Sequence, residues 1–382
     1  MPGTSGIDPV HFLQGLIRHP SITPTEAGVI DVLVAALEPL GFTCTRLRFE
    51  GDGSYPVDNL FATRGTSGKH LLFAGHTDVV PPGDVAAWRH LPFAAEIVDG
   101  VLYGRGAADM KSGIAAFVAA VSRIPANGTV SLAITNDEEA DAINGTEKLM
   151  AWAAAEGHRF DFAIVGEPSA TARVGDSIKI GRRGSLNGQI RVTGVQGHVA
   201  YPDKAKNPLP VAAGLIGSLS GKLDDGAEHF PPSNLEFTSA DVGNETTNVI
   251  PASVLLRFNV RYNDTWTPQT LIAAIQEGID NLDAQGTSID FRVVGRPSRS
   301  FISPIGGGVE TLIETIARQT GIPPELSTGG GTSDARFIAQ YCPVVECGLP
   351  GPSMHKVDEC VAVNDVEALA ALYAAFLLDF VR

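Results

Sequence analysis

His76 and Asp78 stand two residues apart at the end of the apolar run His70–Gly75, so an extended backbone points both side chains the same way. That spacing suits a metal-binding imidazole oriented by a neighbouring carboxylate. Asp109 sits in Tyr103-Gly104-Arg105-Gly106-Ala107-Ala108-Asp109-Met110-Lys111, a glycine-rich segment that enters a helical pattern. Asp137-Glu138-Glu139 places three acids directly after the apolar run Val130–Thr135, and Glu167 follows Ala163-Ile164-Val165-Gly166. His355 follows a strand-like segment near the C-terminus. Taken singly, each of these is an ordinary solvated side chain; the set carries the chemistry.

Zinc binds imidazole nitrogen and carboxylate oxygen, and hydrolytic zinc sites leave a position for water. Two metals about 3.5–4 Å apart can share a bridging carboxylate and a bridging hydroxide. Two Zn²⁺ bring four positive charges, which three carboxylates and one hydroxide cancel, while two neutral histidines complete the shells. His76, Asp109, Glu139, Glu167 and His355 supply that set, and Glu138 remains free as a general base. A serine hydrolase built on Ser333, Asp334 and His355 is a competing reading, although Ser333 lacks a Gly-x-Ser-x-Gly elbow. Inhibition by a chelator with rescue by zinc separates the two.

The elements that must hold these residues alternate in the first half of the chain. Pro9–Arg18 and Glu26–Leu40 have helical spacing, the second ending at Gly41. Strand-like runs follow at His70–Gly75, Val130–Thr135 and Phe160–Val165, with a helix at Ser112–Ile124. This rhythm predicts an α/β domain with a largely buried sheet, whose chemistry sits in loops after the strands. From about Gly184 the order becomes strand Gly188–Val195, helix Leu209–Leu219, strands Asn234–Ala240 and Ser253–Tyr262, helix Pro268–Leu282 and strand Ser288–Val294. That β-α-β-β-α-β order predicts a split βαβ unit, a ferredoxin-like α+β insertion with helices on one face. Residues 1–183 and 296–382 then form the two parts of the first domain, and 184–295 form the insertion. Gly308–Thr320 reads as a helix, Val344–Glu346 as a strand, and Val366–Val381 as an amphipathic helix capped by Asn364.

The 382 residues carry a net charge of −15, which argues against a nucleic-acid partner but allows a local arginine cluster to hold an anion. Val366–Val381 contains Glu367 and Asp379 and is too short and too charged to span a bilayer, which predicts no membrane partner. Met1–Asp8 lacks a basic region followed by an apolar one, which predicts no signal peptide and a cytoplasmic location. Cys44, Cys342, Cys347 and Cys360 are scattered, without a CxxC pair, and are expected to be free thiols in a reducing compartment.

Over nearly its whole length the chain resembles the M20 class of zinc aminoacylases and peptidases. The stretches that carry the resemblance are Gly75-His76-Thr77-Asp78-Val79-Val80-Pro81, Leu102–Lys111, Asp137-Glu138-Glu139 followed by Ile143-Asn144-Gly145-Thr146, and Val165-Gly166-Glu167-Pro168. Further on come Gly181-Arg182-Arg183-Gly184-Ser185, Gln196–Pro202, Asn248-Val249-Ile250-Pro251, Gly331–Phe337 and His355–Glu359. The resemblance implies a catalytic domain with a mixed sheet flanked by helices, and an inserted lid and dimerisation domain, hence a homodimer. It implies two Zn²⁺ per subunit, with Co²⁺ as a substitute: one ion on His76 and Glu167, the other on Glu139 and His355, with Asp109 bridging. Asp78 would fix the tautomer of His76, and Glu138 would move the proton from water to the leaving amine. His198, from the partner subunit, and Asn248 would stabilise the tetrahedral oxyanion.

The Gly-Arg-Arg-Gly-Ser and Gly-Thr-Ser-Asp segments favour the branch of that class acting on an N-acylated, acidic amino acid, a succinylated diaminopimelate. Such a small-molecule substrate carries three carboxylates, and Arg182 and Arg261 are the candidates to hold them bidentately. By the same resemblance Ser185, Tyr201, Thr332 and Ser333 would supply neutral contacts. One departure stands out. The family commonly has Asn four residues before the last histidine, where this chain has Gly351 within Gly348-Leu349-Pro350-Gly351-Pro352. Another M20 activity, such as acetylornithine deacetylase, shares the metals and differs in the arginine contacts.

Overall fold

The computed structural model describes residues 6–125 and 127–381. The first five residues of the segment read for a signal peptide therefore lie outside the described residues. The chain divides into two compact units. One comprises the residues up to Ile180, Ser303–Ser327, and those from Ser333 onward; the other comprises Gly181–Ile302 and Thr328–Thr332.

The first unit is built on an eight-stranded mixed sheet. Its order is Thr43–Gly51, Ser54–Arg64, Thr129–Thr135, His70–His76, Phe162–Val165, Val344–Glu346, Ser177–Lys179, Glu325–Ser327. The four central strands, Thr129–Thr135 to Val344–Glu346, run parallel, in a register that sets His76 opposite Thr135 and Val165 opposite Glu346. Every residue of these four strands is buried, as strands covered on both faces must be. Phe73 stacks on Phe117 of the helix Ser112–Arg123 at 4.1 Å between ring centroids and meets Tyr373 of the helix Val363–Phe380 edge-on. Phe61 projects from the opposite face onto Trp152 of the helix Thr146–Ala155. Helices therefore seal both faces, and the open end of the sheet is left for chemistry.

Local rules place most of these elements. Asp8 caps the helix Pro9–Ile17 by accepting from the N–H groups of Val10 and His11, with Pro9 at the first helical position. The helical run predicted over Glu26–Leu40 is shorter: Val29–Leu37 is α-helical, Glu38–Leu40 tightens to a 3₁₀ turn, and Gly41 ends it at φ 85°. The C-terminal helix spans Val363–Phe380 with Ala362 at the N-cap and no side-chain cap bond. Asn364 is thus inside the helix rather than capping it. The preceding strand Cys360–Ala362 carries the chain straight into the first turn and leaves no polar residue at the cap.

The second unit is a wholly antiparallel five-stranded sheet in the order Gly221–Lys222, Asn234–Asp241, Ser253–Tyr262, Gly184–Thr193, Ser288–Ser298. The four long strands have the ferredoxin-like arrangement, with one short edge strand added. Ser253–Tyr262 alternates strictly between buried and less buried positions. Its inward Val254, Leu256, Phe258 and Val260 pack with Val211 and Leu215 of the helix Pro208–Leu219 and with Leu271 and Ile275 of the helix Pro268–Asp280.

Candidate metal centre

The parallel register of the first unit brings the predicted ligands together. His76 ends its own strand, the acids Asp137–Glu139 follow the strand ending at Thr135, and Glu167 lies two residues past Val165. His355 lies on the loop after Val344–Glu346. Asp109 enters from the turn Ala107–Lys111, which feeds the helix Ser112–Arg123. That helix docks tightly: a Cβ at Gly113 would lie 2.3 Å from the carbonyl oxygen of Gly166. Only glycine allows this contact, which draws the Asp109 turn up to the loop bearing Glu167.

Asp109 lies between the two histidines. His76 Nε2 is 3.2 Å from Asp109 Oδ1 and 3.4 Å from Glu167 Oε1. His355 Nε2 is 3.2 Å from Asp109 Oδ2 and 3.0 Å from Glu139 Oε1. His76, Asp109 and Glu139 can offer ligand atoms within 4.8 Å of one another, and so can His76, Glu138 and Glu167. The donor set is imidazole and carboxylate throughout, and each Asp109 oxygen faces a different histidine–glutamate pair. These residues fit two divalent cations sharing one carboxylate.

The electrostatics show what the crowding costs without cations. Burial, then the charge of Asp109, push Glu167 up to about 8. Burial and the neighbouring Glu167 likewise hold Glu138 well above the ordinary carboxylate range. Hydrogen bonds that His355 donates to Asp109 and Glu139 raise it to about 10. Burial opposes charge on His76, but Asp109, Asp78 and Glu167 outweigh it and raise its pKa well above the usual value. Protons on the imidazoles thus balance the carboxylates where metal charge otherwise would.

Asp78 does more than the sequence suggests. His76 Nδ1 lies 2.9 Å from the main-chain carbonyl oxygen of Asp78 and 3.5 Å from its carboxylate, so the backbone is the closer orienting group. The Asp78 carboxylate accepts from the N–H groups of Glu138 and Glu139 and from Thr23 Oγ1. It therefore shapes the acidic turn. Asp137 serves the same turn, accepting from the Tyr55 hydroxyl and from the N–H groups of Ala142, Ile143 and Asn144.

The predicted substrate residues fall in both units. In the second, Ser185 and Arg261 are register partners on the less buried face of the sheet, and Asn259 donates to Ser185 Oγ at 3.1 Å. Arg182 is buried and donates to the carbonyls of Gly329 and Gly331 at 3.3 and 3.0 Å. Burial, then the charges of Arg183 and Arg182, lower the pKa of Arg261, so three guanidiniums gather there. Arg183 also donates to Asn234 Oδ1. Thr332 is half-buried, and Tyr201 is exposed. His198 and Asn248 are exposed beside the two-stranded ribbon Gly197–His198 with Val249–Ile250. His198 Nδ1 accepts from the N–H of Ala200 at 3.0 Å, so the neutral ring carries its proton on Nε2, free to donate.

Ser333, in the first unit, is buried and donates its hydroxyl to Glu346. A contact from that hydroxyl to substrate is therefore not what this structure offers. His355 is engaged by Asp109 and Glu139, which removes the basis for a Ser333–His355 nucleophile pair. Sequence reading passed over Glu346 and gave Asp334 no part in the metal site. Asp334 is buried beside His76, Glu138 and Glu167, and burial pushes it up to about 6. Glu346 carries the same signal as Asp137–Glu139, an acid at the end of an apolar run, and could have been found by it.

Fold and site together define a metallohydrolase of known kind: residues 72–379 match peptidase family M20/M25/M40, and the chain belongs to that family. It is 52% identical to a succinyl-diaminopimelate desuccinylase of Rhodopseudomonas palustris (strain BisA53) over 99% of both chains, and 50% identical to one from strain TIE-1 over 98% of both. Among solved structures it resembles an M20 family metallo-carboxypeptidase from Sulfolobus solfataricus, with a TM-score of 0.79 at 17% identity, covering 98% of this chain and 99% of that one.

Proposed function

We propose that the chain is a dinuclear zinc amidohydrolase that cleaves N-succinyl-L,L-2,6-diaminopimelate to succinate and L,L-2,6-diaminopimelate, a step of lysine and diaminopimelate biosynthesis. The observation that carries this substrate is the full-length likeness, at 52% identity, to a protein named for that reaction. The reaction class is supported by Asp109, whose two oxygens face two histidines. His76 and Glu167 would hold one ion and Glu139 and His355 the other, with Asp109 between them. Bound zinc would polarise the acyl carbonyl and lower the pKa of water, and Co²⁺ has the same ligand preferences.

The chain's own residues do the rest. Glu138 takes a proton from the attacking water as the C–O bond forms, and returns it to the amine nitrogen as the C–N bond breaks. Burial, then the charge of Glu167, raise its pKa, which strengthens it as a base toward the water proton. Asp78 holds Glu138 and Glu139 by their backbones, so the base keeps its place. Arg182 and Arg261 would grip substrate carboxylates, with Ser185, Tyr201 and Thr332 as neutral contacts. His198, contributed by the partner of a homodimer, and Asn248 would donate to the oxyanion; the free Nε2–H of His198 supports that role.

The second unit would serve as lid and dimerisation domain, a role favoured by its exposed Val195, Val199 and Leu209. All four cysteines are free, consistent with a cytoplasmic enzyme, and no helix among the described residues is long and apolar enough to cross a membrane. The test is amine release by zinc-loaded protein from N-succinyl-L,L-diaminopimelate, N-acetylornithine and a small set of dipeptides. Strong preference for the succinylated compound is expected. Preference for N-acetylornithine would move the chain to another M20 activity and leave the metal chemistry standing.

A further inference from the structure

Behind the candidate metal centre lies a buried ion pair that no step of the reaction uses. Arg105 is 2% exposed and Glu359 is fully buried. Arg105 Nη1 donates to Glu359 Oε2 at 2.6 Å and to the carbonyl oxygen of Lys356 at 3.2 Å. Its guanidinium lies over the Trp88 ring, 5.1 Å from the centroid. The other carboxylate oxygen, Glu359 Oε1, accepts from the N–H groups of Ala108 and Asp109 at 2.9 and 3.2 Å. The main chain joins in, with the N–H of Gly104 donating to the carbonyl of Glu359 at 2.8 Å.

Two segments that lie about 250 residues apart in sequence are thereby clamped to each other. One presents Asp109, whose own N–H is held by the clamp. The other presents His355, one residue before Lys356, whose carbonyl is held by the same arginine. His355 needs such a tether. Its side chain is 46% exposed, against 1% for His76, and its backbone sits at φ 62°, a conformation a non-glycine residue keeps only when its surroundings impose it. His76 and Glu167, by contrast, are set by the paired central strands and do not touch the clamp.

We propose that the Arg105–Glu359 pair is a positioning device for one half of the dinuclear site, setting His355 and Asp109 for the ion they share with Glu139. The inference rests on the two-metal reading above. Buried ion pairs are a poor route to stability, but this one fixes a geometry, because Arg105 Nη1 holds both Glu359 and the Lys356 carbonyl while the second Glu359 oxygen is taken by two backbone N–H groups. Outer-shell groups of this kind change metal affinity about 10–100-fold when removed.

The test is calorimetric titration of the metal-free protein with Zn²⁺, alongside Co²⁺ absorption followed equivalent by equivalent. The wild type is compared with Glu359→Gln and with the double variant Arg105→Met/Glu359→Gln, which leaves no uncompensated buried charge and so preserves a folded protein. Thermal melting of each metal-free protein checks the fold. The expected result is two equivalents for the wild type. In both variants the equivalent held by His355 and Glu139 should bind about 10–100-fold more weakly, while the other, which meets the clamp only through the shared Asp109, should weaken clearly less. Two equivalents titrating as in the wild type, or both weakening by the same factor, would overturn the inference and leave the two-metal reading intact. A wild type that binds no ion overturns both.

Discussion

Asp109 offers one oxygen to the His76–Glu167 side and the other to the His355–Glu139 side, and around it the metal-free protein resorts to protons. His355 is raised to about 10, His76 is raised well above the ordinary imidazole value, and Glu167 is pushed up to about 8, so all three are shifted toward their protonated forms. Metal ligands must be deprotonated, so loading the site has to expel these protons. Titration with Zn²⁺ at pH 7 is expected to release at least two protons per chain, measured as the dependence of binding heat on buffer ionisation enthalpy. No proton release would mean the ions bind elsewhere. Glu138 is the acid beside a ligand that has its backbone, but not its side chain, committed to Asp78. Glu138→Gln should keep both zinc equivalents by elemental analysis and lose about 10²–10⁴-fold in turnover, the range for a general base. A rate near that of the wild type would sink the assignment.

Among the elements, the loop Gly348–Gly351 carries the departure from the usual family pattern. A Cβ at Gly351 would lie 2.8 Å from Pro168 Cβ, and Pro168 follows Glu167. A second close approach, of a Gly348 Cβ to the Glu167 carbonyl at 2.3 Å, shows that the whole loop is pressed against the ligand-bearing segment. A side chain at Gly351 would therefore force Pro168 or the loop to shift. Gly351→Asn, which would install the residue the family commonly has, is expected to destabilise the protein by about 1–3 kcal/mol through overcrowding. It should also lower turnover with the preferred substrate, measured by chemical denaturation and the amine-release assay. A variant as stable and active as the wild type would mean the loop has room to move. The positions of the strands and helices were largely legible in the residue pattern, because continuous apolar runs and 3.6-residue spacing act locally. The function of Asp137, by contrast, was hidden: in an acid triplet nothing local distinguishes a ligand from a residue that accepts three backbone N–H groups to turn the chain.

For the molecule as a whole, these groups set how stability follows pH. The raised histidines contribute stability that is fully present below their unfolded pKa of about 6.5 and is lost as pH rises through their folded values. A raised Glu167 acts in the same direction: the native carboxyl holds its proton up to about 8 while the unfolded one has released it from about 4.3. Metal-free protein should therefore melt at progressively lower temperature from pH 6 to pH 9. Zinc-loaded protein should not, because the ions replace the protons and bind more tightly as pH rises. Scanning calorimetry with and without a chelator checks this; parallel curves for the two forms would refute it. The net charge of −15 sets a broad field against anionic ligands, and the clustering of Arg182, Arg183 and Arg261 opposes it locally.

The sequence by itself determined the chemistry available: five residues of metal-ligating type, four of them close to a strand end or a helix entry and His355 in a loop beyond a strand, one spare acid beside them, and an insertion of β-α-β-β-α-β order. Residue type and short-range spacing are local properties, so they survive without coordinates. Only the tertiary structure decided which atoms meet. It set each Asp109 oxygen against a different histidine, gave Asp78 to the backbone of the acidic turn, committed Ser333 to Glu346, and joined Arg105 to Glu359 across the chain. Those outcomes depend on the parallel register of four strands and on close contacts at Gly113 and Gly351, and contacts between distant segments leave no mark in local spacing.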